Sequence, residues 1–153
     1  MLLLFTLGFL FLSLLGFRKV VFPDLKKVVE AREKFLVDAA DPDFMKILGF
    51  IALVVFLLFI GIQSIYLGFA INFLLAKGVL LAKATAFVGV GLFFWSIGSG
   101  SLVIKNLFKS MTDVNAFRDV LFALPTFGKQ LLGFLINVLW IGLYTIVAYF
   151  IIQ

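Results

Sequence analysis

Four stretches of this chain, at about residues 1–17, 47–75, 84–104 and 131–152, contain no Asp, Glu, Lys, Arg or His. A helix crosses a ~30 Å hydrocarbon core with roughly 20 such residues, and in lipid the backbone must satisfy its own polar groups, which leaves helices or a closed barrel. Runs this long are helical. The sequence therefore predicts an all-α integral membrane protein with four transmembrane helices in a single membrane domain. Charged residues make up 14% of the chain, against the ~25% usual for soluble domains, so no separate water-soluble domain is expected.

The first run is short and has no basic residue ahead of it; Leu14 stands where a signal-cleavage site needs a small side chain, so an uncleaved anchor is expected. The second run is long. At ~1.5 Å per residue it extends about 43 Å, so it must tilt, project, or bend at Gly61 or at the Gln63–Ser64 pair.

Orientation follows from the basic residues. The connection 18–46 carries Arg18, Lys19, Lys26, Lys27, Arg32, Lys34 and Lys46, and 105–130 carries Lys105, Lys109, Arg118 and Lys129. With four spans these connections share a side and hold eleven basic residues, against two, Lys77 and Lys83, on the other. The positive-inside rule then puts both connections in the cytoplasm and both termini outside. All eight acidic residues fall in the same two connections.

Each cytoplasmic connection reads as an amphipathic surface helix. The first runs from about Pro23 to Ala40, with Leu25, Val28, Val29, Leu36 and Ala39 on one face together with Arg32. Lying on lipid, it would bring Arg18, Lys19, Lys26 and Lys27 to anionic headgroups, each contributing ~1 kcal/mol. The second is capped by Thr112 or Asp113, places Val114, Phe117, Leu121 and Leu124 at helical spacing, and stops at Pro125. Its apolar face rests on lipid or on the span ends.

Small and polar residues recur along the spans: Gly61, Ser64, Gly68 and Asn72 on the second; Thr85, Gly89, Ser96 and Gly100 on the third, with a gap at Leu92 or Phe93; Gly133, Asn137, Trp140, Tyr144 and Ala148 on the fourth. Such stripes let helix backbones approach, and Ser, Thr, Asn and Gln bond across the contact for ~0.6–2 kcal/mol each. They are expected to pack within the chain or against a partner. Gly98-Ser99-Gly100-Ser101 is a contact patch or a local unwinding. Trp140, Tyr144 and Tyr149 are candidates for an interfacial aromatic belt.

The chemistry excluded is broad. Without Cys or His there are no disulfides, thiolates, imidazole bases or His/Cys metal sites. Without charge inside a span there is no acidic proton relay. Gly89-Val90-Gly91 has Phe94 in place of the third glycine of a dinucleotide fingerprint, and Gly128-Lys129-Gln130 is no phosphate loop. Asp41-Pro42-Asp43 reads as a helix cap rather than a metal or acid/base site. No cofactor, metal or nucleic acid is expected. The reading is a non-catalytic subunit that packs against integral membrane partners or itself, with the bilayer and anionic lipid as further contacts. The alternative is a small homo-oligomeric channel lined by Gln63, Asn72, Ser96, Ser99 and Asn137. An inner-leaflet enzyme using Asp41, Asp43, Asp113 and Asp119 is a remote third reading.

Overall fold

A computed structural model describes residues 1–21, 24–38, 42–110, 113–121 and 126–153. Among them the chain is all-helical: α1 (Leu2–Val21), α2 (Leu25–Asp38), α3 (Pro42–Ala76), α4 (Leu80–Ser110), α5 (Val114–Leu121) and α6 (Phe127–Ile152). Helices α1, α3, α4 and α6 are long and apolar enough to cross a membrane, which marks the chain as a multi-pass membrane protein. Each overruns the uncharged run that announced it, because charged residues outside the hydrocarbon continue a helix without cost. Pro42 opens α3, where its missing N–H costs nothing.

The helices are stopped and started by recognisable residues. After α3 the Lys77 and Gly78 N–H groups donate to the Leu74 and Leu75 carbonyls (both 3.2 Å), and Gly78 takes φ 71°, the left-handed conformation that ends a helix. Asp113 accepts from the Asn115 and Ala116 N–H groups at 2.9 and 3.3 Å, which makes it the α5 cap. Asp24 does the same for Lys27 N–H at 3.3 Å, and the Lys27 side chain holds its carboxyl below the usual carboxylate range. The α2 helix thus starts at Leu25 with Asp24 as its cap; Pro23, Ala39, Ala40, Thr112, Leu124 and Pro125 lie outside the described residues.

The chain divides into two compact units, one of Met1–Pro23, Gly61–Ser96 and Phe127–Gln153, the other of Asp24–Ile60 and Ile97–Thr126. The division falls at Gly61 on α3 and just before Gly98 on α4, yet both helices are α-helical throughout. The Gly98–Ser101 run is therefore not unwound.

In the first unit α1 and α6 pack antiparallel. Phe17 meets Phe134 (ring centroids 5.4 Å apart), Asn137 lies against Gly16, and Phe9 meets Tyr144. The α6 helix is the hub: a third of its spanning window is buried, against 11% for each other span. Trp140, Leu143, Tyr144, Val147 and Phe150 line its inner face at helical spacing. On α4 the small residues Ala82, Thr85, Ala86 and Gly89 are buried, and Leu92 occupies the position that had looked like a gap.

In the second unit Phe35 of α2, Met45 of α3, Leu107 of α4 and Phe117 of α5 form a core, with Phe35 and Phe117 stacked at 6.0 Å. Phe35 was not on the expected apolar face of α2, and Val29, which was, is exposed. The packing face is centred on Val28, Arg32 and Phe35. Arg32 donates to Asp119 at 2.5 Å, joining α2 to α5; the pair is half-exposed and contributes at most ~1 kcal/mol.

Gly100 belongs to this unit and lies directly beneath the ring of Phe56, where any Cβ would collide. Gly98 has nothing within 4 Å of the corresponding position. Gly100→Leu should therefore lose ~1–3 kcal/mol through overpacking, while Gly98→Leu should unfold like the parent. Thermal unfolding in detergent measures both, and equal midpoints for the two variants would refute the contact.

Candidate functional site

Gln63, the third residue of the unit-one part of α3, is 2% exposed, and its Oε1 has no hydrogen-bond partner among the described residues. The carboxamide faces the Tyr144 hydroxyl. Tyr144 of α6 in turn packs with Tyr66 of α3, Phe9 of α1 and Trp140 of α6, and Thr6 of α1 lies against Tyr66. The rings form a continuous stack: Tyr144 is nearly parallel to Phe9 (5.6 Å, 11°) and to Trp140 (5.3 Å, 18°), and tilted against Tyr66 (5.7 Å, 56°). Phe9 also meets Tyr66 at 5.0 Å. The fully buried Thr6 hydroxyl donates to its own Leu2 carbonyl at 2.8 Å and lies 3.1 Å from the Tyr66 hydroxyl.

The node consists of aromatic rings, hydroxyls and one carboxamide. Among the described residues no three carboxylates gather to hold a metal. Of the loop aspartates, Asp43 pairs with Lys46 at 2.9 Å, Asp113 caps α5 and Asp119 pairs with Arg32 and Arg118; Asp41 lies outside the described residues.

The stripes have different fates. On α6, Trp140, Tyr144 and Ala148 are buried and Gly133 and Asn137 half-buried, with the Asn137 amide donating to the Gly133 carbonyl at 2.8 Å. Trp140 and Tyr144 are thus core residues and not part of an interfacial belt; Tyr149 is exposed. On α4, Thr85 is buried and donates to the Leu81 carbonyl at 2.8 Å, Gly89 lies beneath Leu143, and Ser96 and Gly100 are half-buried. On α3 the stripe turns outward. Gly61, Ser64, Gly68 and Asn72 are all exposed, and a Cβ at Gly61 or Gly68 would meet nothing within 4 Å.

The inner face of α3 is instead Gln63, Tyr66, Leu67, Ala70 and Leu74. These residues recur at spacings of three and four, the period of one helix face. Gln63 and Asn72, nine residues apart, stand on opposite sides of the helix, one buried and one exposed. Of the basic residues, Arg18 and Lys19 lie exposed in the last turn of α1, Lys26 is exposed, and Lys27 pairs with Asp24 at 3.1 Å.

Compared with protein-family models, curated proteins and solved structures, the chain matches none.

Proposed function

We propose that the chain is a non-catalytic integral membrane subunit that packs against partner proteins in a larger membrane complex, in an accessory, assembly or scaffolding role. The observation that carries this reading is the outward stripe of α3. The equivalent stripes of α4 and α6 are taken up inside the chain, whereas Gly61, Gly68 and Asn72 remain exposed with open space over both glycines. Lipid tails gain nothing from a glycine, and a carboxamide in hydrocarbon has no partner for its donors. A second helix gains from both, through close backbone approach and a cross-helix hydrogen bond. In this reading the basic connections lie in the cytoplasm and both termini outside, as the distribution of Lys and Arg requires.

Because the parent has no cysteine, single-Cys variants report one position each. A photo-crosslinker attached at Gly68→Cys or Asn72→Cys in native membranes should capture one stoichiometric protein, and the same probe at Leu58→Cys, an exposed position outside the stripe, should capture lipid. Mass spectrometry identifies the adducts. A monodisperse single chain with no protein adduct at either stripe position would refute the reading, and an adduct of the chain with itself would convert it to self-association. An impermeant maleimide added from outside should label Val79→Cys and spare Lys26→Cys; the reverse pattern overturns the orientation.

A further inference from the structure

The unit-one part of α3 is divided around its circumference into three sectors. Gln63, Tyr66, Leu67, Ala70 and Leu74 face the core; Gly61, Gly68 and Asn72 face outward on the stripe. Between these sectors Ile62, Ile65, Phe69 and Phe73 follow one another at spacings of three and four, and with Met1, Leu2 and Phe5 at the start of the chain they wall a groove of about 830 Å³. From Ile62 to Phe73 the α3 wall runs about 16 Å at ~1.5 Å per residue. Tyr66 also lines it, but its hydroxyl is turned to Thr6, so the groove presents hydrocarbon along its length.

A cation stands at one end. The Lys77 ammonium lies 5.0 Å from the centroid of the Phe73 ring, the last aromatic of the wall, and the ring quadrupole favours that position. Lys77 follows directly on the last turn of α3, the negative end of the helix dipole, which also favours positive charge. The sequence has no acidic residue between Asp43 and Asp113, so the α3–α4 connection offers Lys77 no carboxylate. At membrane depth such a groove does not stay empty, and water finds no polar partners in it.

We propose that the groove binds an anionic phospholipid, with an acyl tail along Ile62, Ile65, Phe69 and Phe73 and the phosphate at Lys77. A long apolar wall with the Lys77 ammonium at its end and the Met1 amino group on its rim is complementary to an amphiphile with one negative end. The binding is independent of the partner face, which occupies a different sector of the helix.

The test uses the full-length chain, delipidated in detergent, titrated with phosphatidylglycerol, phosphatidylcholine and glycerol 3-phosphate, with the rise in unfolding temperature as the readout. Phosphatidylglycerol should bind about fivefold more tightly than phosphatidylcholine, the ratio to which ~1 kcal/mol per cation near an anionic surface corresponds. Glycerol 3-phosphate should give no rise. Lys77→Gln should abolish the ratio while leaving phosphatidylcholine binding intact; Lys77→Arg and the control Lys19→Gln should keep it. Ile65→Trp should weaken binding of both lipids by filling the groove. Equal binding of the two lipids, a ratio that survives Lys77→Gln, or a response to glycerol 3-phosphate matching that to phosphatidylglycerol each overturns the proposal. So does a chain dimer that excludes both lipids. If Ile65→Trp does not fold, the exposed Lys77 variants still decide.

Discussion

Tyr144→Ala should be among the most damaging single substitutions in the chain, lowering stability by ~3–5 kcal/mol, the usual range for emptying a buried aromatic site. The side chain is 2% exposed, and its ring touches three others, Phe9, Tyr66 and Trp140, as well as facing Gln63. Helix association in lipid has no hydrophobic term to fall back on, because the tails are as apolar as the core. What holds α1 against α6 is close packing and dispersion, and both vanish where the ring is removed. Phe9, the α1 residue that meets both tyrosines, loses one of its two ring partners. Tyr144→Phe keeps the ring and removes only the hydroxyl, so it should cost ~1 kcal/mol or less. Reversible unfolding in mixed micelles gives both numbers, and hydrogen exchange should show α1 opening first in the alanine variant. If the two substitutions fall within about 1 kcal/mol of each other, the stack does not carry the packing.

Most of the architecture was legible in the sequence because charge is a sharp signal in lipid. The absence of charge over 47–75 or 131–152 admits one secondary structure, and the Asp113 cap is a local feature read from a few neighbouring residues. Which way each helix faces was less legible, for a reason specific to membranes. In water a row of Leu, Ile and Phe marks the buried side, but on α3 Ile47, Phe50, Leu58, Ile65 and Phe69 are all exposed. Apolarity therefore does not report burial here. Small residues were the substitute signal: Gly89, Gly100 and Asn137 lie against other side chains of the chain, whereas the α3 stripe is exposed, which leaves packing against a partner as the alternative for it. Had the most polar intramembrane side chain, Gln63, been used as the marker, its i, i+3 and i+4 neighbours Tyr66, Leu67 and Ala70 would have given the inner face. The α2 helix failed differently: the face counted from Leu25 to Leu36 lay about one residue away from the one that buries Phe35, because Phe117 on α5, distant in sequence, decides it.

The stripe of α3 and the node around Gln63 separate two uses of polarity in a membrane span. On the stripe, Asn72 is exposed, and in the proposed reading it serves a partner helix. Inside, Gln63 contributes a carbonyl that has no partner among the described residues. Substitutions at Gln63 should therefore move stability in opposite directions. Gln63→Leu removes the orphaned acceptor and keeps a side chain of similar reach, so its effect should lie between neutral and a gain of ~1–2 kcal/mol, since an unsatisfied buried polar group costs ~1–3 kcal/mol. Gln63→Glu keeps the shape but puts a negative charge at a point where Tyr66, Leu67, Ala70 and the α6 rings pack around it. Neutral-pH stability should fall by ~2.5–3.5 kcal/mol, the insertion cost of an ionised side chain mid-span. The same micelle unfolding assay reads both variants. Loss of more than ~1 kcal/mol in Gln63→Leu would show that the carboxamide stabilises the fold, through the Tyr144 hydroxyl it faces or through a partner of its carbonyl, and an unperturbed Gln63→Glu would show that water reaches the node and would favour a polar path through the bundle.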